Sequence, residues 1–329
     1  MKVLLLVANR SAVTGLIPSF KEAFLQLHLD GDVFIVNQDR VYQNQRKELK
    51  QYIVKHEINS LLCINDFCKD GKYLINQEII KLVPCYIWFV DSMQSMKSPD
   101  PNLSQYKKIS SFEPTDVKLS SIYHRKIDYV PLTMGHNLFC TSPGTTEKKY
   151  DVSFVGLVSG SEKRLKILNA IAKYCKTNHK KMVCYGHFWH NSHYLQKIIG
   201  SIKFYCKYPT LHSYVINQRI SPAECADLYK QTKINLNIHI PQHTGFNCRT
   251  FEILGNNNFE LCDEQDNHFI NFIDRKHLVF YHNEKEAVSL FDYYLKHPVE
   301  REAIAQQGGI FVNEKYKFSD SVKKVLELR

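Results

Sequence analysis

The chain has 329 residues, 44% of them hydrophobic and 12% aromatic, with 13 Gly and 11 Pro, a composition that excludes disordered, collagen-like and disulfide-dense classes. Its length exceeds one ordinary core and suits two domains of about 150 residues each. Lys and Arg number 43 against 33 Asp and Glu, a formal charge of +10 with pI near 9.0, which favours anionic company: nucleotide phosphates, nucleic acid or an anionic membrane surface.

The opening MKVLLLVANRSAV carries an apolar run of five residues, too short for a signal-peptide core, and no stretch approaches the roughly 20 apolar residues of a membrane span. Ten cysteines are scattered without a Cys-x-x-Cys, so reduced thiols and a cytoplasmic location are expected. KVLLLVA reads as a buried strand, residues 18–27 as an amphipathic helix and DVFIVN (32–37) as a second strand, a β-α-β opening. INSLLCIN (58–65) and PCYIWFVDS (84–92) are further apolar strands with the helix LINQEIIKL between them, and KKISSF and KIDYVPL add shorter ones. Strands separated by helices imply a mostly parallel sheet covered on both faces.

CTSPGTTEKKY (140–150) breaks the pattern with Pro, Gly, Ser, Thr and charge, which places a boundary there: domain one over 1–145 and domain two over 146–329, with the last helix able to pack back on the first. The pattern restarts at DVSFVG (151–156), followed by a helix over 162–175, the strand KMVCYG and the strand INLNIHI (234–240). The two α/β domains are expected to face each other across a cleft. In FVGLVSGSEKRLKIL, Gly156 and Gly160 flank a loop, Ser159 and Glu162 fit a capping box, and Leu165, Leu168, Ile171, Ala172 and Cys175 form a buried stripe. Helix-start amides there suit an anion, and a tight turn without a ligand is the alternative, since neither GxGxxG nor GK[ST] is present.

GHFWHNSHY places His187, His190 and His193 in an H-x-x-H-x-x-H pattern without a carboxylate or cysteine at ligand spacing, so no metal is assigned. A loop carrying Tyr185, Gly186, Phe188 and Trp189 as aromatic surface beside a ligand is the preferred reading, and residues 208–220 form a second aromatic and polar loop able to line the same pocket. After INLNIHI, the stretch GFNCRTFEILGNNNF (245–259) reads as a flexible loop and a helix carrying Arg249 and Glu252 one turn apart. An exposed i, i+3 ion pair is the plain alternative for those two. Asn256, Asn257 and Asn258 follow Gly255 in the turn, where asparagine tolerates left-handed geometry better than most residues. Three helices close the chain: EKEAVSLFDYYLKH, then PVEREAIAQQ opened by Pro298 and closed by Gly308 and Gly309, then SDSVKKVLEL.

KYDVSFVGLVSGSEKRLKIL, CYGHFW, ISPAECADLYKQTKINLNIHIPQHTGFNCRTFEILG and YYLKHPVEREAIAQQG resemble, in that order, the C-terminal half of spore-maturation CgeB-like glycosyltransferases of the GT-B fold. WFVDS, SSFEPTDV and YVPLTMGHNLF in the first half are weaker echoes, so the resemblance runs over residues 84–308. It implies an α/β architecture of two Rossmann-like domains, the second binding a nucleoside-diphosphate sugar and the first an acceptor, with no metal and no cofactor beyond that co-substrate. The donor-binding set it implies is Gly156, Arg164, Tyr185, Gly186, Gly245, Asn247, Arg249 and Glu252. Glu252 would accept from the ribose hydroxyls and Arg249 would neutralise the diphosphate, roles that suit a carboxylate and a guanidinium, with Arg164 assisting.

An inverting transferase also needs a base for the acceptor hydroxyl. Asp66, Asp91 and His136 lie near ends of strand-like runs in the first half, and each is also a natural cap or turn residue; Asp91 is the first choice and His136 the second. Two acceptor classes and one rival of another kind follow. A polysaccharide or lipid-linked glycan intermediate would use the basic surface to approach an anionic membrane, whereas a hydroxylated base in DNA, as in bacteriophage DNA-glucosylating enzymes of this fold, would use it on phosphate. A binding protein that keeps the fold without catalysis is the rival.

Overall fold

The computed structural model describes residues 1–69, 72–95, 102–135, 147–158, 160–189 and 193–328. It divides into two compact units, Met1–Asn137 with Tyr316–Arg329, and Leu138–Lys315. In the first unit the strands β1 (Lys2–Ala8), β2 (Asp30–Val36), β3 (Ser60–Ile64), β6 (Cys85–Phe89), β7 (Lys108–Ser111) and β8 (Ile127–Tyr129) form one parallel sheet in the order β2-β1-β3-β6-β7-β8. A short antiparallel pair, β4 (Cys68–Lys69) and β5 (Lys72–Tyr73), follows β3. The continuous apolar runs explain the central strands: every residue of β3 and β6 is buried, as a strand covered on both faces requires.

The second unit repeats the plan with β9 (Tyr150–Val155), β10 (Met182–Tyr185), β11 (Val215–Ile216), β12 (Thr232–Asn237), β13 (Glu260–Asp263) and β14 (Val279–Tyr281), all parallel, in the order β11-β10-β9-β12-β13-β14. Its core gathers Phe154, Leu168, Ile171, Ile234, Leu236 and Phe291 among others. The strand expected over 234–240 starts two residues earlier and ends at Asn237, leaving 238–247 as a loop at its carboxyl end. Residues 208–220, expected as a loop, contain the helical turn Pro209–His212 and the edge strand β11.

Local chemistry sets the helix starts. Ser161 caps the helix Glu162–Thr177 by accepting from the Arg164 amide at 3.4 Å; Ser159, to which the cap was assigned from sequence, lies outside the described residues. Ser221 and Glu224 form a full capping box at the helix Pro222–Lys230. The helix expected to close at Gly308 and Gly309 instead runs Pro298–Lys315, because those glycines serve packing: a Cβ at Gly308 would lie 2.1 Å from the His277 carbonyl oxygen, and one at Gly309 would lie 1.9 Å from Asn257 Oδ1. Asn257 takes the left-handed conformation at φ 54°, the geometry anticipated for the asparagine turn.

Candidate functional site

In the second sheet β9 lies between β10 and β12, so the strand order reverses there, and in open parallel sheets a ligand crevice forms outside the carboxyl ends at such a reversal. Three loops meet at that point. The loop after β9 is zipped to the loop after β10: the Gly156 amide donates to the Tyr185 carbonyl at 2.9 Å and the Val158 amide to the His187 carbonyl at 3.0 Å. Gly186 sits at φ 146°, and a Cβ there would fall 1.8 Å from the Gly156 carbonyl oxygen, so only glycine permits this approach. On the other side Arg164 ties the same loop to the one after β12, its Nε donating to the Ile238 carbonyl at 2.7 Å and its Nη1 to the Leu157 carbonyl.

Arg249 and Glu252 stand on the helix Cys248–Gly255 that follows this last loop. They are joined through a residue absent from the sequence-based set. Tyr229 accepts from Arg249 Nε at 3.0 Å and donates to Glu252 Oε2 at 3.2 Å. Glu252 and Tyr229 are buried and Arg249 is half-buried, so the exposed ion pair weighed from spacing does not describe them. Burial above all raises the Tyr229 hydroxyl far above its ordinary range, keeping it a donor. Burial opposes the charge on Arg249, yet the facing Tyr229 oxygen and Glu252 carboxylate outweigh it and its pKa is raised. Arg164 shows the opposite balance: burial first, then the positive field of Arg249, lowers it to about 10. Two guanidinium groups that disfavour each other at the mouth of a crevice make a place where an anion is stabilising.

Asn247 caps the Cys248–Gly255 helix, accepting from the Arg249 amide at 3.0 Å, and exchanges side-chain amide bonds with Asn237 at 3.1 and 3.2 Å. Beneath it lies a buried polar layer. Asn237 and Thr250 both donate to Glu260 Oε1, at 2.8 and 2.9 Å. His239 holds Asp263 through its backbone amide (2.8 Å) and Nδ1 (2.9 Å), and its Nε2 accepts from the Asn247 amide at 3.2 Å, so the imidazole orients the turn that starts the helix. Asp263 also meets Lys163 at 2.5 Å. His239, Cys262 and Asp263 bring ligand-type atoms within 4.8 Å of one another, but the two ring nitrogens and both carboxylate oxygens are engaged in these bonds. Burial lowers the His239 pKa despite Asp263, so the ring is neutral at physiological pH.

A cavity of about 660 Å³ adjoins the start of the Glu162–Thr177 helix, lined by Gly160, Ser161, Lys163, Lys166, Gln242 and His282 among others. Of the tandem histidines, His190 lies outside the described residues. Phe188, expected as a surface beside the ligand, is buried in the core, where it packs edge-on to Phe204 at 5.7 Å, and Trp189 stacks on His212 at 5.5 Å. Asn217 fixes this loop by accepting from the Phe188 amide at 2.7 Å. Tyr185 and Gly186 remain at the crevice, and Gly245 is buried in the loop leading to Asn247. In the first unit a separate cavity of about 310 Å³ opens at the carboxyl ends of β1, β3 and β6, lined by Arg10, Asn65, Asp66, Asp91 and Ser92 among others. There Asn65 Nδ2 donates to Asp91 Oδ2 at 2.9 Å. His136 lies outside the described residues.

A protein-family profile described as glycosyl transferase-like matches residues 166–327. No curated protein matches the chain by sequence. Among solved structures the chain is similar over its whole length to an alpha-glucosyltransferase in complex with UDP and a mismatched DNA 13-mer (TM-score 0.69, 9% identity, 100% of this chain and 99% of that one). It is similar to the Anabaena protein HepE in complex with UDP-glucose (TM-score 0.68, 10% identity, 99% and 98%) and to sucrose-phosphate synthase from Thermosynechococcus elongatus (TM-score 0.67, 8% identity, 100% and 98%). These likenesses establish a GT-B glycosyltransferase fold.

Proposed function

We propose that this GT-B chain is a glycosyltransferase that moves a sugar from a nucleoside diphosphate to a hydroxyl acceptor, with the nucleotide held by the second unit. The observation that carries the reading is the Arg249-Tyr229-Glu252 chain at the switch point, beside the Gly156 loop and within the glycosyl transferase-like profile match over residues 166–327. Glu252, held from one side by Tyr229, offers a carboxylate to the ribose hydroxyls. Arg249 and the amides that open the Glu162–Thr177 helix neutralise the leaving diphosphate. Arg164 contributes by holding the loops and by its positive field, since two of its donors already serve carbonyls. Side chains and amides thus supply the charge stabilisation that a divalent ion would otherwise give, which supports a metal-independent reaction. The quoted motifs support the CgeB-like subtype.

The acceptor binds the first unit, where Asp91, oriented by Asn65, serves as base for its hydroxyl; Asp66 lines the same cavity. A glycan or lipid-linked glycan is the first acceptor class. The +10 charge together with the likeness to a DNA-bound glucosyltransferase favours a second reading, a hydroxylated base in DNA. Steep weakening of duplex binding with salt distinguishes that reading.

Calorimetric titration with UDP, GDP and CMP tests the donor site. Glu252→Gln and Arg249→Ala are each expected to weaken the cognate nucleotide by about 1.5 to 3 kcal/mol, with little change in melting. Tyr229→Phe should weaken it by about 1 kcal/mol, the worth of a neutral hydrogen bond. Unchanged affinity in all three would overturn the reading, as would sugar transfer abolished by a chelator and restored by manganese for its metal-independent form.

A further inference from the structure

The helix Tyr194–Lys207 is seated by one face and largely exposed on the other. Inward, Phe204 is buried against Phe188 and Trp189 (ring centroids 5.7 and 5.2 Å), Gly200 lies on Trp189 so closely that a Cβ would come to 3.0 Å, and Ser201 Oγ bonds His212 Nε2 at 2.9 Å. This seat is aromatic and uses none of the helix's four aliphatic residues. Outward, those residues face water: Leu195, Ile199 and Ile202 are 70%, 51% and 57% exposed, and Tyr194, Ile198 and Tyr205 join them. At 100° per residue they share one arc, with Lys203 and Lys207 along one margin and Lys197 along the other.

Every charged residue of the helix itself is a lysine: Lys197, Lys203 and Lys207. Residues 163–223 contain eleven Lys and Arg and no Asp or Glu, which leaves the rest of the chain close to neutral. We propose that the Tyr194–Lys207 helix is an interfacial anchor that lies in the headgroup layer of an anionic lipid bilayer. Its aliphatic arc enters the acyl boundary while the marginal lysines reach up to the lipid phosphates, the arrangement in which amphipathic helices bind and long basic side chains snorkel. A nucleic acid would engage the lysines and could stack bases on Tyr194 and Tyr205, but it leaves Leu195, Ile198, Ile199 and Ile202, four of the arc's six residues, without an apolar partner. A second copy would set this acid-free segment against itself, with like charges on both margins. The inference concerns this surface alone and does not depend on the transfer reaction.

Co-sedimentation with vesicles of phosphatidylcholine and phosphatidylglycerol in equal parts, beside pure phosphatidylcholine vesicles, tests it. The full chain is expected to bind the anionic vesicles at least tenfold more tightly than the neutral ones, and Lys203→Ala and Lys207→Ala should each cost about five-fold. Ile199→Glu with Ile202→Glu, both at exposed positions and so compatible with the fold, should abolish binding while the melting curve stays in place. In Tyr205→Trp, emission should shift to the blue when anionic vesicles are added. Vesicle binding that survives the double glutamate variant, or an unshifted Tyr205→Trp emission, would overturn the proposal. So would absence of vesicle binding with duplex DNA binding, or a dimer in solution, abolished by the same substitutions.

Discussion

Glu260 stands at the start of β13 with no exposed surface, and its Oε1 receives the Asn237 and Thr250 bonds, while Oε2 has no hydrogen-bond partner among the described residues. Burial, opposed by these bonds, raises its pKa from 4.5 to about 7. Between those values the folded chain holds a proton that the unfolded chain has released, so stability falls as pH rises. The contribution is complete below about 4.5 and gone above about 7. Glu260→Gln, which mimics the protonated form, should therefore match the wild type in acid and flatten the decline toward neutrality in a series of urea melts. An unaltered decline would show that another group carries it. Nothing in NNNFELCDEQD marks Glu260 as buried, because a four-residue strand is too short for its own period to show. Arg249 and Glu252 were legible because one helical turn joins them. Tyr229 was not, since it lies 20 residues before Arg249 and meets it only across β12.

At the scale of elements, the helix Pro298–Lys315 offers a test in which two principles disagree in sign. Helix propensity gives Ala an advantage of about 1 kcal/mol over an interior Gly. Packing predicts the reverse at Gly308, where the added Cβ would lie 2.1 Å from a backbone carbonyl oxygen, and overpacking costs about 1 to 3 kcal/mol. Gly308→Ala is expected to lower stability in denaturant melts; a gain would mean that the His277 segment moves aside freely. The sequence reading ended the helix at this pair because glycine commonly follows a helix, and the backbone approach that requires glycine here is a tertiary fact. The Tyr194–Lys207 helix escaped notice for a different reason. His193 makes no side-chain cap bond and the first turn carries no acidic residue, so the capping signals present at Glu162–Thr177 and Pro222–Lys230 are missing.

For the molecule as a whole, the chain crosses into the second unit and returns. The terminal helix Phe318–Val325 belongs to the first unit, where Phe318 packs edge-on to Phe20 at 4.9 Å and lies 5.8 Å from Trp88. Phe318→Ala removes a buried ring and should destabilise that unit by about 3 to 5 kcal/mol. Nucleotide affinity should remain unchanged, because every residue proposed to touch the donor lies in 138–315. Scanning calorimetry beside nucleotide titration checks both halves, and an equal loss of affinity would place a donor contact outside the second unit.

The sequence by itself determined the kind of architecture: short uninterrupted apolar runs such as LLLVA and CYIWF, bounded by turn residues, suit strands covered on both faces, and the helices between them make the sheets parallel. It also marked Gly156, Gly186 and the loop that ends in Arg249 and Glu252 as turns at strand ends, where the structure has them. Tertiary structure alone decided which of these residues act together. β9 between β10 and β12 brings Tyr185, Leu157 and Ile238 to one point, turns Arg164 into a brace and Asn247 into a cap, and sets Tyr229 between Arg249 and Glu252. The physical reason is that periodicity and turn chemistry are local properties of the backbone, whereas the order of strands in a sheet is settled by the burial of all of them at once.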